Sequence, residues 1–293
     1  MIETKAFVIG APISQSRSPL IHNHWISEHG LLGDYQAFHV EPEDLTNFLN
    51  GFREQGFVGG NVTVPHKEAL FSYLKTSKKK AELTETALAI GAANTLYLDG
   101  DRLVGHNTDA VGFLANLDQR HAGWDDDLSH AVIIGAGGAA RAILFALQQR
   151  GAEKITVINR TVARAENLIA DMQVKNATAA GLEAMGDCLT SATFLVNTSA
   201  AGMEGKGALV FDLSSLSSSC VVTDIIYVPL ETEFLKAARS RGCATIDGLG
   251  MLLHQAVPGF EAWFGVKPDV TEDLRLAILA DMGLNDINKA ASK

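Results

Sequence analysis

The stretch AVIIGAGGAARAIL, residues 131–144, decides the fold. A short β-branched run ending at Ile134 leads straight into Gly135, Gly137 and Ala140, spaced as GxGxxA, and the residues that follow read as a helix. Each small residue has a physical reason at its place. Gly135 permits a tight turn out of the strand, Gly137 lets backbone approach a pyrophosphate, and Ala140 keeps the helix close to the sheet. The helix N-terminus behind the turn supplies free N–H groups and partial positive charge. A glycine turn that binds nothing is the bland alternative; the strand before, the helix after and a second β-rich run at 155–159, ITVIN, favour a dinucleotide site. Further β-rich runs at 194–197 (FLVN) and 221–226 (VVTDII), with helical stretches such as 140–150 and 163–172, extend this half into a doubly wound α/β pattern.

At the end of the second run an NAD site would usually carry Asp or Glu for the ribose 2'-hydroxyl, but the chain reads Asn159-Arg160-Thr161. Arg160 and Arg164 offer planar guanidinium forks, which suit a doubly charged phosphate better than a neutral hydroxyl. This favours NADP over NAD, against the alternative that both arginines are solvated charges at a helix start.

Residues 5–74 alternate β-rich runs (KAFVIG, YQAFHV, FVGGNVTV) with helical ones (from Pro19, EDLTNFLNGF, KEALFSYL), which is again an α/β signature. A helix is expected around 78–89, its basic start Lys78–Lys80 solvated, followed by a hairpin about Asp99-Gly100 that requires an antiparallel pair. Val111, Leu114 and Leu117 share one helix face, and a domain boundary falls near residue 110. Helical patterns return at 250–264 and 271–282, too short for a third domain and so expected to pack on one already built. The serine-rich tract 214–219 suits a surface connection, and the tail 285–293 has little to bury.

The length of 293 residues suggests about two domains. With 24 Lys+Arg against 34 Asp+Glu, a net charge of -10 gives no footprint for nucleic acid or anionic lipid. Hydrophobic residues at 47% and charged ones at 20% fit a folded chain rather than a disordered or fibrous one. Cys188, Cys220 and Cys243 form no CxxC pair, so no disulfide framework or zinc site is indicated and a reducing cytoplasm is the simplest compartment. No signal peptide is read at the start, and the longest mainly apolar stretch, 131–147, carries Arg141 and falls short of a bilayer span. His22-x-His24 lacks a third ligand at characteristic spacing, and no GxSxG elbow or Cys–His signature is present, so metal and covalent hydrolase chemistry have little support.

SQSRSPLIHNHW (14–25) presents Ser18 as an N-cap with Pro19 at the first helical position, placing Ser16 and Ser18 at a positive helix end where a small carboxylate could bind. The other reading is a simple cap. In NVTVPHKE (61–68), Lys67 follows a strand and a proline turn where an amine could face a cleft, although most lysines are merely solvated. Asp109, in HNTDAVGF (106–113), is either a helix cap or a carboxylate able to share a proton network with such a lysine.

Taken in order, SQSRSP, NVTVPHKE, GAANTL, NTD, GAGGAARA, NRT, NTSAAGM, DIIYVP and DGLGMLLHQA resemble the shikimate dehydrogenase family across nearly the whole chain. The resemblance implies an N-terminal α/β substrate domain with a mixed sheet, residues 1–110 completed by 248–293, and a Rossmann-type NADP domain at 111–247, with the active-site cleft between them. It implies NADPH-dependent reduction of 3-dehydroshikimate to shikimate, a step of aromatic amino acid biosynthesis. Residue by residue, it makes Lys67 the catalytic lysine and Asp109 its partner. Ser16 and Ser18 become the carboxylate ligands with Tyr227 near the same group, Thr63 lies beside the substrate, and Asn94 and Gln255 meet its hydroxyls. On the cofactor side it assigns Gly135, Ala136, Gly137, Gly138 and Ala139 to the diphosphate, Asn159, Arg160, Thr161 and Arg164 to the 2'-phosphate, and Thr198, Met203 and Gly248 to the neighbourhood of the nucleotide. Ala110, where the family often has glycine, and Gln15, at a variable place, touch none of these roles. Quinate-accepting relatives share most of the motifs, while NRT speaks against an NAD-preferring one. A non-catalytic NADP sensor is the rival from another class, and it would need none of Lys67, Asp109, Asn94 and Gln255. Small-molecule partners and a monomer or homodimer are expected.

Overall fold

The computed structural model describes residues 3–77, 81–199 and 211–284. The chain divides into two compact units, changing over between Thr108 and Asp109 and again between Leu252 and Leu253.

The first unit opens with β1 (Thr4–Gly10), α1 (Ser18–Glu28), β2 (Gly33–His39), α2 (Leu45–Gly51), β3 (Phe57–Val62) and α3 (Lys67–Thr76). It continues through β4 (Ala81–Leu83), α4 (Glu85–Ile90), β5 (Thr95–Asp99) and β6 (Arg102–His106). Its six strands run in the order β2-β1-β3-β5-β6-β4. β1 pairs in parallel with β2 and β3, β5 is antiparallel to both β3 and β6, and β4 is parallel to β6, so the sheet is mixed. Phe7 of β1 is fully buried and meets Phe48, Phe52 and Phe57 edge-on with ring centroids 5.0, 5.5 and 5.6 Å away, a geometry that aromatic quadrupoles favour.

The second unit begins with α5 (Asp109–Arg120), β7 (Ala131–Ile134), α6 (Gly138–Gln149), β8 (Ile155–Ile158), α7 (Val162–Asp171), β9 (Ala177–Ala180) and α8 (Met185–Thr190). β10 (Phe194–Asn197), β11 (Val221–Asp224), α9 (Glu233–Ser240) and β12 (Ala244–Ile246) complete it. All its strand pairs are parallel, in the order β12-β11-β10-β7-β8-β9, so the strand order reverses between β7 and β10, the arrangement of a Rossmann sheet. β7, β8, β10 and β11 are buried along their whole length, as strands covered on both faces must be.

α10 (Leu249–His254) crosses the second changeover, and α11 (Val257–Phe264) and α12 (Glu272–Asp281) belong to the first unit. There Trp263 donates its indole N–H to the Leu96 carbonyl at 2.7 Å, and Trp25 donates to that of Asp269 at 3.1 Å. Among the described residues no helix is long and apolar enough to cross a membrane.

Three local expectations are corrected. The expected helix at 78–89 is instead β4 followed by the short α4, because Thr84 caps α4 by accepting the Ala87 N–H at 3.2 Å while residues 81–83 pair with β6; Lys78–Lys80 lie outside the described residues. The hairpin turns on Gly100-Asp101, since Asp99 still pairs with Arg102, and Gly100 takes the positive φ of +59°. Ser18 is not the cap of α1: the capping position is Arg17, and Ser18 is the first helical residue, its own N–H held by the Ser16 hydroxyl at 3.3 Å.

Candidate nucleotide and substrate sites

The turn after β7 is built around three glycines, Gly135, Gly137 and Gly138. Gly135 has φ +109°, and a Cβ there would come within 2.8 Å of the Thr198 hydroxyl, so a side chain is excluded twice over. Gly137 and Gly138 differ, since a Cβ at either meets no protein atom and both are exposed. Their smallness answers no packing demand of the chain itself, and it fits a ligand that lies against the backbone at the start of α6, flanked by the half-buried Ala136 and Ala139. Ala140, fully buried, seats α6 on the sheet.

Asn159 leaves β8 with its N–H on Ala180 and its side-chain amide on the Thr161 carbonyl at 2.8 Å, shaping the turn into α7. Arg160, Thr161 and Arg164 are exposed around that turn, and among the described residues neither arginine has an acidic partner. Two uncommitted guanidinium groups at the C-terminal end of β8 are what a 2'-phosphate requires. The residues present therefore fit NADP.

β10 and β11 end next to each other, with Asn197 opposite Asp224. Thr198, nearly buried, has its hydroxyl on the Ile134 carbonyl at 2.8 Å, and Tyr227 lies half-buried three residues beyond β11. Gly248 packs on the same loop: a Cβ there would stand 2.4 Å from the Ile225 carbonyl carbon, so this glycine answers a backbone approach within the chain. Asp224 is fully buried, and burial pushes its carboxyl up to about 6, opposed by hydrogen bonds from Ile226, Thr232 and Asn197. Sequence reading passed over Asp224 and Asn197; a charged residue closing an apolar strand was the available signal. Met203 lies outside the described residues.

In the first unit, Ser16 and Ser18 sit at the start of α1 on a loop held by Arg17, whose Nε lies 2.6 Å from the Asp281 carboxylate on α12. Thr63 follows β3, and Lys67 is the first residue of α3. The turn between them is fixed by His66, whose ring Nε2–H donates to the Val40 carbonyl at 2.7 Å and whose N–H donates to the Thr63 carbonyl. The Lys67 carbonyl in turn accepts the N–H of Ala93, beside Asn94.

A one-directional chain of hydrogen bonds runs through the same unit. The Tyr35 hydroxyl donates to Asn61 Oδ1 (2.6 Å), Asn61 Nδ2 to Thr95 Oγ1 (3.1 Å), and Thr95 to Asn94 Oδ1 (2.9 Å). Asn94 Nδ2 donates to Thr108 Oγ1 (3.0 Å), and the single Thr108 hydroxyl proton is shared between Asn94 Oδ1 (3.2 Å) and Gln255 Oε1 (3.5 Å). Because the Thr108 N–H also donates to Asn94 Oδ1, the Asn94 amide can face only one way. The structure thus links Asn94 and Gln255 and adds Tyr35, Asn61, Thr95 and Thr108, which sequence reading had not singled out. The pairing of Asn61 with residues of β2 and β5 depends on strand neighbours that no local pattern announces. Burial raises the Tyr35 hydroxyl well above its ordinary pKa, with Asn61 and Ser18 acting the other way. Asp109, at the start of α5, and Tyr227 belong to the second unit. Among the described residues no group of three His, Cys, Asp or Glu could hold a metal ion.

Residues 8–96 match the family described as shikimate dehydrogenase substrate binding domain, 118–208 that of shikimate / quinate 5-dehydrogenase, and 248–276 that of shikimate 5'-dehydrogenase C-terminal domain. The chain is 50% identical over 278 residues to the shikimate dehydrogenase (NADP(+)) of Mesorhizobium japonicum, covering 95% of this chain and 96% of that protein. It is similar to the shikimate 5-dehydrogenase from Thermus thermophilus solved in complex with NADP(H) and shikimate, with a TM-score of 0.82 and 34% identity over 94% of this chain and 99% of that one. The quinate dehydrogenase from Corynebacterium glutamicum in complex with NAD gives a TM-score of 0.85 and 30% identity over 95% of this chain and 100% of that one. With the Rossmann-type second unit, the mixed-sheet first unit and the ordered motifs in agreement, this chain belongs to the shikimate dehydrogenase family.

Proposed function

We propose that this chain interconverts 3-dehydroshikimate and shikimate with NADP as its cofactor, in the shikimate pathway of a cytoplasm. The observation that carries the reading is the half-identity to NADP-dependent relatives over almost the whole chain, supported by two arginines just beyond β8 that have no acidic partner among the described residues. When bound, the nicotinamide supplies the hydride.

The chain's own residues do the rest. Ser16 and Ser18, with Tyr227, anchor the substrate carboxylate, and Thr63, Asn94 and Gln255 hold the ring through its hydroxyls, so that one face of the carbonyl carbon is presented. The Lys67 ammonium gives its proton to the oxygen that becomes the alcohol, and Asp109 is the carboxylate that orients it. Gly135–Ala139 and the start of α6 hold the diphosphate, Asn159, Arg160, Thr161 and Arg164 the 2'-phosphate, and Thr198, Met203 and Gly248 flank the nucleotide. The working protein is a monomer or homodimer.

A second reading, a dehydrogenase that also accepts quinate, is favoured by the structural likeness to a quinate dehydrogenase. Initial rates of nicotinamide reduction, with shikimate and quinate each offered NADP and NAD, separate the two. Turnover with shikimate and NADP alone is the expected result, comparable quinate turnover moves the chain to the broader activity, and silence in all four combinations overturns both.

A further inference from the structure

Asp224 closes β11 with a carboxylate that has no exposure, yet it is engaged by three separate segments. Its Oδ1 accepts the side-chain amide of Asn197 at 3.0 Å and the N–H of Ile226 at 3.0 Å, and its Oδ2 accepts the hydroxyl of Thr232 at 2.8 Å. Thr232 is itself the N-cap of α9, accepting the Leu235 N–H at 3.3 Å. The loop that carries Tyr227 is therefore fastened at both ends to one side chain. Asn197 completes the junction on the neighbouring strand: its Oδ1 accepts the N–H and hydroxyl of Ser199 at 3.1 and 2.7 Å, bracketing Thr198. The Asn197–Asp224 pair thus joins Thr198 and Ser199, just past β10, to the loop leaving β11, at the C-terminal end of a parallel sheet, where such sheets bind ligands. A carboxylate suits the junction because it only accepts and has lone pairs for all three donors.

We propose that Asp224, through Asn197, is a positioning residue that sets Tyr227 and Thr198 together, so that substrate contact and nucleotide contact are adjusted as one. This rests on the reading of Tyr227 as a substrate contact and Thr198 as a nucleotide neighbour. Asp224→Asn preserves shape and Oδ1 as an acceptor for Ile226, whereas Asp224→Ala leaves Asn197, Ile226 and Thr232 without their acceptor.

The test is steady-state kinetics on the full chain for Asp224→Asn, Asp224→Ala, Tyr227→Phe and the double variant Asp224→Ala/Tyr227→Phe, well below each melting temperature. Asp224→Ala is expected to raise KM for both shikimate and NADP by roughly tenfold or more, the scale of losing buried charge-assisted hydrogen bonds, with Asp224→Asn restoring most of it. In the Tyr227→Phe background the effect of Asp224→Ala on the shikimate KM should largely disappear, the signature of residues acting as one unit. A lowered melting temperature with KM and kcat unchanged assigns Asp224 to stability alone and overturns the proposal, as do effects that multiply independently in the double variant. If Tyr227→Phe by itself changes nothing, the Tyr227 reading falls and takes the proposal with it; if Tyr227→Phe is impaired and Asp224→Ala is silent, only the proposal falls. Should Asp224→Ala not fold, Asn197→Ala, which keeps the Ile226 and Thr232 bonds, is expected to raise both KM values in the same assay, and unchanged values there reject the proposal.

Discussion

At the end of β8 two guanidinium groups stand without acidic partners, among the described residues, where an NAD site would carry an acid. Charge-assisted contacts to a phosphate are each worth about 1.5–3 kcal/mol, so Arg160→Ala and Arg164→Ala should each weaken NADP binding by roughly tenfold or more and leave NAD binding, titrated in parallel, nearly unchanged. Equal losses with both nucleotides would remove the 2'-phosphate assignment. Lys67→Ala should lower kcat by about a hundredfold to ten-thousandfold, the usual worth of a general acid, while shikimate binding persists. Residues whose chemistry shows in their own neighbourhood were candidates from the sequence: an arginine in place of an acid, glycines between strand and helix. Asp224 and Asn61 were not, because each acquires its part from a neighbouring strand, Asp224 from β10 and Asn61 from β2 and β5.

At the scale of the element, the β7–turn–α6 unit separates two kinds of glycine. Gly135→Ala forces a side chain into φ +109° against the Thr198 hydroxyl and should cost about 1–3 kcal/mol of stability, read in denaturant melts. Gly137 has ordinary extended backbone and open space, so Gly137→Ala should leave the melt within about 0.5 kcal/mol, as surface changes do, while NADP binding by titration weakens. Unchanged NADP affinity there would show that nothing approaches that backbone. The same scale explains which strands escaped sequence reading. β4, β9 and β12 are all edge strands, short and only partly buried, so no continuous apolar or β-branched run is demanded of them. The strands with covered faces on both sides, β7, β8, β10 and β11, were plain from composition alone. Ser18 was misplaced by one position because Ser-Pro is the ordinary start of a helix, whereas here the Ser16 hydroxyl takes the Ser18 N–H and Arg17 occupies the cap.

Across the whole molecule the two units carry opposite acid responses. His22 is fully buried, its ring stacked 4.1 Å from that of Tyr35 and also facing Phe260, and burial depresses its pKa to about 3 despite the Asn61 side chain. Below the ordinary imidazole value of 6.5 the unfolded chain takes a proton that the folded one refuses, so stability is lost as pH falls from there toward 3, with a slope approaching about 1.4 kcal/mol per pH unit. Asp224 runs the other way. Its folded pKa of about 6 means that a buried charge weighs on the fold above pH 6, and this burden, up to about 3 kcal/mol, lifts as pH falls toward 3.8. Hydrogen exchange between pH 6.5 and 4.5 should show the His22 contribution, wild type minus His22→Phe, falling in the first unit, and the Asp224 contribution, wild type minus Asp224→Asn, rising in the second. Changes in the same direction would contradict the assignment. The order of the units along the chain has a consequence for biosynthesis. The first unit is built from two stretches separated by the whole of the second, and its aromatic cluster around His22 is sealed by Phe260 and Trp263 of α11. At ribosomal speeds of roughly 5–20 residues per second, that cluster waits on the order of ten seconds for its cover, while the inserted unit emerges and folds. A nascent chain of this kind exposes aromatic surface longest at its earliest-made part.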